Sequence, residues 1–200
     1  MATEKKIPSE KSTTFKATFM DRRTSNLEID VNTVHDAWKQ SLPYAVEMIK
    51  ETILELFADP ELAREGSPAG QQEISVLLTG DDQMAELNNE FRGKSGPTNV
   101  LSFSNHEKTG SFQNASGSHH LGDIVLGFET LCREAEERNI SLDHHLRHLT
   151  IHGLLHLLGY DHSTPEMARN MEALEVRVLM ALGVNNPYQD QAMVKNRIGG

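Results

Sequence analysis

The chain has 200 residues, of which 38% are hydrophobic and 24% are charged, and its formal net charge is −10. This length suits one domain with its own core, and no apolar run approaches the roughly 18 residues that a membrane span needs. The acidic balance argues against broad nucleic-acid binding, which usually leaves a basic footprint, so any such substrate must be held by a few local cations.

Residues 1–25 are rich in Lys, Ser, Thr and Glu, with little hydrophobic periodicity and no apolar core of a secretory signal. We therefore expect a flexible N-terminal extension, followed by one folded domain over residues 26–185. The only cysteine, Cys132, excludes an internal disulfide framework and indicates a reducing compartment. These features predict a cytoplasmic protein without a membrane span.

The first elements of the domain are predicted from hydrophobic periodicity. Leu27, Ile29 and Val31 alternate with polar residues, as in a half-buried strand. A helix is predicted over residues 36–57, because apolar residues recur there at helical spacing: Trp38, Leu42, Val46, Ile49, Ile53 and Leu56. Ile74–Thr79, rich in β-formers and bounded by a glycine, is predicted to be the second strand.

The next helix turns Met84, Leu87 and Phe91 toward the core and ends near Arg92. A glycine- and proline-containing turn then leads into further elements. In order, these are a strand at Asn99–Phe103, a polar loop over residues 105–120, a strand at Leu121–Gly127 and a helix at Phe128–Arg138.

Two helices complete the domain. The helix from about Leu142 to Leu158 is apolar almost all round in its later half, so we expect it to be central and buried. Thr164 before Pro165 is typical of a helix start, and the core face of this last helix carries Met167, Met171, Leu174 and Val178. Residues 186–200 are predicted to be a polar tail. The elements together predict a single α+β domain with about four strands.

Two histidines lie near the end of the predicted central helix, and a third follows it. His152 and His156 are four apart, so a helix places both imidazoles on one face. Gly159 can adopt the left-handed conformation that ends a helix, and the reversed chain then delivers His162. Three nitrogens with one open position are typical of catalytic zinc, whereas a structural site more often has four protein ligands. We therefore predict one Zn²⁺ per chain, bound by His152, His156 and His162.

This spacing matches the metzincin peptidases, H-E-x-x-H-x-x-G-x-x-H, except at Gly153. The peptidases carry their general base, a glutamate, at that position. A glycine can neither deprotonate water nor protonate an amine leaving group. The metal geometry is kept, but the peptidase base is missing.

Three segments together resemble the YbeY family of bacterial rRNA-maturation endoribonucleases. The signature H-G-x-L-H-L-x-G-Y-D-H is matched at every fixed position from His152 to His162. The other two segments are Asn88–Lys94 with Pro97–Phe103, and Leu121–Val125, and the resemblance covers roughly residues 25–185. Ser104 departs from the family, which usually has proline there, and a long polar insert follows it.

The resemblance implies a mixed sheet packed against helices and a zinc-dependent endoribonuclease acting on single-stranded RNA. It also implies a role in rRNA maturation, including the 16S 3′ end, in ribosome quality control, and contact with the small ribosomal subunit. Arg92, which the helix dipole alone would explain, becomes by this resemblance the candidate catalytic cation that binds the phosphodiester. Lys94 and Arg147 are the other available cations.

Two alternatives remain open from the sequence. One is a zinc hydrolase of another class, such as a peptidase or amidase, against which Gly153 counts. The other is a ribosome assembly factor whose zinc is structural. Near the site, His148 is expected to support the ligands rather than bind the metal, Asp161 to stabilise the turn, and Tyr160 to pack at the helix end. The remaining histidines, His145 among them, are expected at surfaces or in loops.

Overall fold

The computed structural model describes residues 26–65, 71–105 and 118–189. The predicted extension over residues 1–25, residues 106–117 of the predicted polar loop and residues 190–200 of the predicted tail lie outside the described residues. Residues 118–120, which were predicted to belong to that loop, are part of a strand. The described chain contains these elements in order: β1 (Leu27–Thr33), α1 (Ala37–Ser41), α2 (Ala45–Ala58), α3 (Pro60–Glu65), β2 (Gln71–Thr79), α4 (Asp81–Arg92), β3 (Val100–Ser104), β4 (Ser118–Gly127), α5 (Phe128–Glu137), α6 (Leu142–Leu157) and α7 (Pro165–Ala181).

The strands form one mixed sheet in the order β1-β2-β4-β3. β1 pairs with β2 and β2 pairs with β4 in parallel, whereas β3 pairs with β4 in the antiparallel direction. The parallel registers place Ile29 beside Ile74 and Val76 beside Ile124, so apolar side chains line one face together. The predicted α+β domain, a mixed sheet of about four strands packed against helices, is confirmed.

Helices cover both faces of this sheet. On one face α6 lies at the centre of the main core, in contact with α2, α5, α7, β3 and β4, and its Leu154 is fully buried. Side chains of β4 alternate between the faces, so that Ile124 joins this core while Val125 packs with Met84 of α4 on the other face. The central buried helix that the sequence predicts is therefore α6.

The prediction of one continuous helix over residues 36–57 is wrong, because the structure divides this stretch into α1 and α2. Pro43 lies between them, and proline both lacks a backbone N–H donor and pushes the preceding residue out of the helical region. Leu42 accordingly has φ −134° and ψ 73°. The apolar spacing nevertheless continues across the break, since Trp38 of α1 and Ile49 of α2 are both buried in the same core.

Two residues predicted to face the core are exposed instead. Phe91 is 57% exposed and Met167 is 38% exposed. Each lies in a terminal turn of its helix, Phe91 in the last turn of α4 and Met167 in the first turn of α7. Hydrophobic spacing assigns a face to a helix, but the neighbouring elements do not extend to cover its ends.

A close approach of two strands holds the C-terminal end of α6. Gly122 lies at a bulge in β4 with φ 144°, and a Cβ there would be 2.2 Å from the carbonyl oxygen of Phe103 on β3. Only glycine permits this geometry. The next residue on β3, Ser104, donates from Oγ to the carbonyl of Leu157 at 3.3 Å, which joins α6 to the edge strand.

None of the helices in the described part of the chain has the length and hydropathy to cross a membrane.

Candidate metal centre

Three histidines meet at the C-terminal end of α6. His152 and His156 lie one turn apart, so their imidazoles emerge on the same side of the helix. Gly159 then adopts φ 91°, and its N–H donates to the carbonyl of His156 at 3.1 Å. The chain reverses at this glycine, as the sequence predicts, and brings His162 to the other two rings.

The three rings are close enough to share one ion. Nε2 of His152 is 3.2 Å from Nε2 of His156, and one nitrogen from each of the three histidines lies within 4.8 Å of the others. Zinc–nitrogen bonds of about 2.0–2.1 Å in a tetrahedral arrangement place two ligand nitrogens ~3.3 Å apart. These residues therefore fit a zinc ion, and among the described residues the group holds no further Cys, Asp, Glu or His.

Hydrogen bonds behind the rings decide which nitrogens face the ion. His156 Nδ1 lies 3.0 Å from the carbonyl oxygen of Tyr160, and His152 Nδ1 lies 2.8 Å from Oε1 of Glu175. A carbonyl and a carboxylate only accept, so each Nδ1 carries the proton and each Nε2 presents its lone pair to the centre. Burial, and then the neighbouring His152 and His162, lower the pKa of His156, which favours the neutral form that binds a metal.

Glu175 on α7 contributes to this centre through His152, although nothing in the predicted site residues indicates it. Its side chain is 1% exposed. Burial alone raises the pKa of a carboxyl group, but hydrogen bonds from His148, His152 and Tyr188 outweigh burial and bring the pKa of Glu175 to about 2. The carboxylate is therefore ionised at neutral pH. The available sequence signal is an acidic residue at core spacing before Val178, on the otherwise apolar face of a helix.

Tyr188 and His148 form a second layer around Glu175. The Tyr188 hydroxyl donates to the Glu175 carboxylate and lies 3.1 Å from Nε2 of His148, whose ring packs edge-on against the tyrosine at 5.6 Å between centroids. His148 thus contacts the partner of a candidate ligand, in keeping with the supporting role we predicted. Tyr188 lies after residue 185, the predicted end of the domain.

The turn between the second and third histidines is held by Asp161. Its Oδ1 accepts from the backbone N–H of His162 at 2.7 Å. A hydrogen bond from the Ser163 side chain, followed by this backbone N–H, lowers the pKa of Asp161. Tyr160 packs against the main core while its carbonyl orients His156. Both residues therefore act on the shape of the turn, as the sequence suggests.

Gly153 faces the sheet and not the metal centre. A Cβ at this position would lie 3.0 Å from Ser102 Oγ, 3.1 Å from Ile124 Cγ2 and 3.2 Å from Val100 Cγ2. These distances are shorter than ordinary van der Waals contacts, so the glycine allows α6 to approach β3 and β4 closely. The first carbon of any side chain at this position would already press on the sheet, which adds a structural argument against a peptidase.

Arg92 belongs to α4, which packs on the face of the sheet opposite to α6. It is the last residue of α4, it is exposed, and no acidic side chain among the described residues pairs with it. Its neighbour Phe91 packs edge-on against Phe103 of β3, at 4.9 Å between ring centroids. Ser104 follows on β3 and contacts the end of α6 through Leu157. Successive contacts thus connect the last turn of α4, the end of β3 and the end of α6.

Two expectations about charged residues are corrected. Arg147 is not available for a substrate, because its guanidinium is bound at 2.6 Å by Glu51 and its side chain is 15% exposed. His145 is not a surface residue, because it is fully buried with Nε2 2.8 Å from Oε2 of Glu134. Burial lowers the pKa of His145 despite this carboxylate. Neither contact could be read from local spacing, since the partners come from other helices.

The sequence profile of the family described as Endoribonuclease YbeY matches residues 33–183. The chain belongs to the YbeY family. Curated YbeY relatives include the proteins of Bradyrhizobium sp., 44% identical over 156 residues, and Sphingopyxis alaskensis, 44% identical over 157 residues. These alignments cover 78% and 77% of this chain and 89% and 93% of the relatives. The protein of Paramagnetospirillum magneticum is 39% identical over 168 residues, covering 84% of this chain and 99% of that protein.

The solution structure of TM1509 from Thermotoga maritima is similar to this YbeY chain, with a TM-score of 0.45 and 24% sequence identity. The overlap covers 77% of this chain and 91% of that chain. Membership of the YbeY family confirms the resemblance drawn from the three sequence segments. It also confirms the enzyme class that the resemblance implies, since the curated YbeY relatives are named endoribonucleases.

Proposed function

We propose that this YbeY protein is a zinc-dependent endoribonuclease that cuts single-stranded RNA. His152, His156 and His162 bind the zinc, and Arg92 binds the phosphodiester and stabilises charge that develops on its oxygens. The observation that carries the proposal is the convergence of the three rings, with Nε2 atoms 3.2 Å apart in the first pair and both Nδ1 atoms bound to acceptors behind them.

The expected chemistry depends on three imidazole ligands and on the lack of a general base at Gly153. His152, His156 and His162 would hold a zinc ion as three neutral imidazoles, which leave the charge of the ion uncompensated. Such an ion would supply polarisation of a phosphodiester and would lower the pKa of water to ~7. Gly153 supplies no general base, and the described residues contribute no fourth ligand that would close the site. The arrangement suits an anionic substrate better than a peptide.

Arg92 supports the choice of an anionic substrate. A guanidinium is always protonated and offers a planar fork of donors that matches two phosphate oxygens. Arg92 is exposed and free of acidic partners among the described residues, beside a similarly exposed Lys94. Because the net charge is −10, attraction must come from these local cations and the metal, and binding should weaken with salt along a shallow slope.

The preference for single strands rests on geometry. Cleavage needs a phosphodiester that can rotate until the attacking and leaving oxygens are in line. An unpaired strand rotates freely, whereas an A-form duplex holds its backbone fixed. Membership of the YbeY family supports ribosomal RNA as the substrate, with 16S 3′-end maturation and ribosome quality control as the processes, the small ribosomal subunit as partner and the cytoplasm as location.

The test uses nuclease-free protein loaded with zinc. We expect about one zinc per chain, chelator-sensitive cutting of unpaired RNA, poor cutting of duplex and no peptide hydrolysis. His156→Ala should lose both zinc and cleavage. Equal rates on duplex and single strand would contradict the geometric argument. Absence of cleavage in a fully loaded protein that unfolds when zinc is removed would favour the assembly factor with structural zinc.

A further inference from the structure

Glu175 is buried where a carboxylate is expensive to place. It sits on the core face of α7 between Leu174 and Val178, which are both buried, and its side chain is 1% exposed. An unpaired charge in such a place strongly opposes folding, so buried carboxylates persist where donors surround them. The identity of the donors therefore indicates what the carboxylate is for.

Each oxygen of Glu175 has its own partner. Oε1 lies 2.8 Å from His152 Nδ1, on the side of the ring that faces away from the metal centre. Oε2 accepts from the Tyr188 hydroxyl and lies 3.6 Å from Nε2 of His148. Tyr188 and His148 thus hold one oxygen in place, while the other is left to the candidate ligand.

We propose that Glu175 is a positioning residue of the metal centre, which fixes His152 as the tautomer protonated on Nδ1 and aims its Nε2 at the metal. The proposal rests on the zinc site described under the proposed function. Glu175 is not itself a ligand, because the oxygen near His152 contacts Nδ1 while Nε2 faces His156 at 3.2 Å. A carboxylate behind an imidazole orients the ring and increases its basicity as a ligand.

The two helix-borne histidines are supported differently. His156 donates from Nδ1 to a backbone carbonyl, that of Tyr160, which any residue at that position would supply. His152 depends on a side chain from α7, so its orientation can be removed by mutation without touching α6. Through Glu175, α7 therefore sets the orientation of a candidate ligand that α6 carries.

The chain provides a matched control on the same helix. His145, near the start of α6, contacts the Glu134 carboxylate at 2.8 Å, the same distance as in the Glu175–His152 pair. His145 is not part of the metal-binding group. Loss of the Glu134 carboxylate should therefore affect folding through a buried pair without affecting the metal.

The experiment measures zinc affinity by competition with a chelator, the visible spectrum of the cobalt-substituted protein and urea unfolding of the zinc-free protein. We expect Glu175→Ala to weaken zinc binding about 10- to 100-fold and to change the cobalt spectrum. Glu175→Gln keeps an acceptor oxygen but loses the charge, so its affinity should fall between those of the alanine variant and the wild type. Glu134→Gln should lower the unfolding free energy and keep wild-type zinc affinity and cobalt spectrum.

Wild-type zinc affinity in folded Glu175→Gln and Glu175→Ala would overturn the assignment and leave the zinc site intact. If the alanine variant does not fold, an unchanged affinity and cobalt spectrum in the glutamine variant overturn the assignment alone. An equal loss of affinity in Glu134→Gln would also overturn it, because a general weakening of α6 would then explain both results. Failure of the wild-type chain to bind zinc is a separate outcome, which refutes the proposed function and the assignment with it.

Discussion

Replacing Gly153 by glutamate puts back the residue that metzincin peptidases use as general base, and we expect it to damage the fold without creating a peptidase. The first added atom, Cβ, already lies 3.0 Å from Ser102 Oγ, 3.1 Å from Ile124 Cγ2 and 3.2 Å from Val100 Cγ2. The isoleucine and valine belong to β4 and β3 and are stiff at χ1, so the sheet cannot adjust easily.

Substitutions by alanine and by glutamate at position 153 should lower the unfolding free energy to different extents. Gly153→Ala overpacks the interface between α6 and the sheet, at about 1–3 kcal/mol, and regains about 1 kcal/mol of helix propensity, so a loss of ~1 kcal/mol is expected. Gly153→Glu adds a carboxyl group inside the same interface. A buried charge without a partner costs about 3–5 kcal/mol more, which is comparable with the total stability of about 5–15 kcal/mol of a typical domain.

The assay is urea unfolding of both variants and the wild type, with and without zinc, beside a peptide-hydrolysis assay. Gly153→Ala should fold and bind zinc. Gly153→Glu should be largely unfolded or strongly destabilised and should cleave no peptide. A glutamate variant with wild-type unfolding free energy and new peptidase activity would refute the reasoning, because it would show that position 153 faces the metal and not the sheet.

Three further predictions concern the substrate cation, the edge strand and the response to acid. Arg92→Ala should slow RNA cleavage by about 10²–10³-fold with zinc content and unfolding unchanged, and Arg92→Lys should recover little; an unchanged rate would leave Arg92 with a helix-end role only. Gly122→Ala should lower the unfolding free energy by about 2–5 kcal/mol, since its Cβ meets the Phe103 carbonyl at 2.2 Å and its φ is 144°; wild-type urea unfolding would disprove the close approach. Burial opposes ionisation of Asp59, but the Arg177 guanidinium and backbone N–H groups lower its pKa below the usual 3.8. The ionised Asp59 carboxylate therefore contributes its full stabilisation above pH 3.8, and this contribution is lost as the pH falls through the lower pKa of the folded state. The difference in unfolding free energy between wild type and Asp59→Asn should shrink in acid, and a difference that does not change with pH would contradict this.

The sequence by itself was enough to predict four strands, most helices and the histidine cluster, although β2 and β4 begin at Gln71 and Ser118, before their predicted starts at Ile74 and Leu121. These features depend on local geometry, because the helical period places His152 and His156 on one face and Gly159 is free to adopt a positive φ. The chemistry of proline would have predicted the break at Pro43, but the apolar spacing continues across it and favoured a single helix.

Only the tertiary structure decided what surrounds the cluster. Glu175 and Tyr188 reach His152 from another helix and from the segment after it, and Arg147 is bound by a glutamate of α2. Periodicity shows which residues of an element share a face, but it contains no information on which distant element covers that face. The strand order is likewise set by long-range pairing, because the stabilising contacts form between residues far apart in the chain.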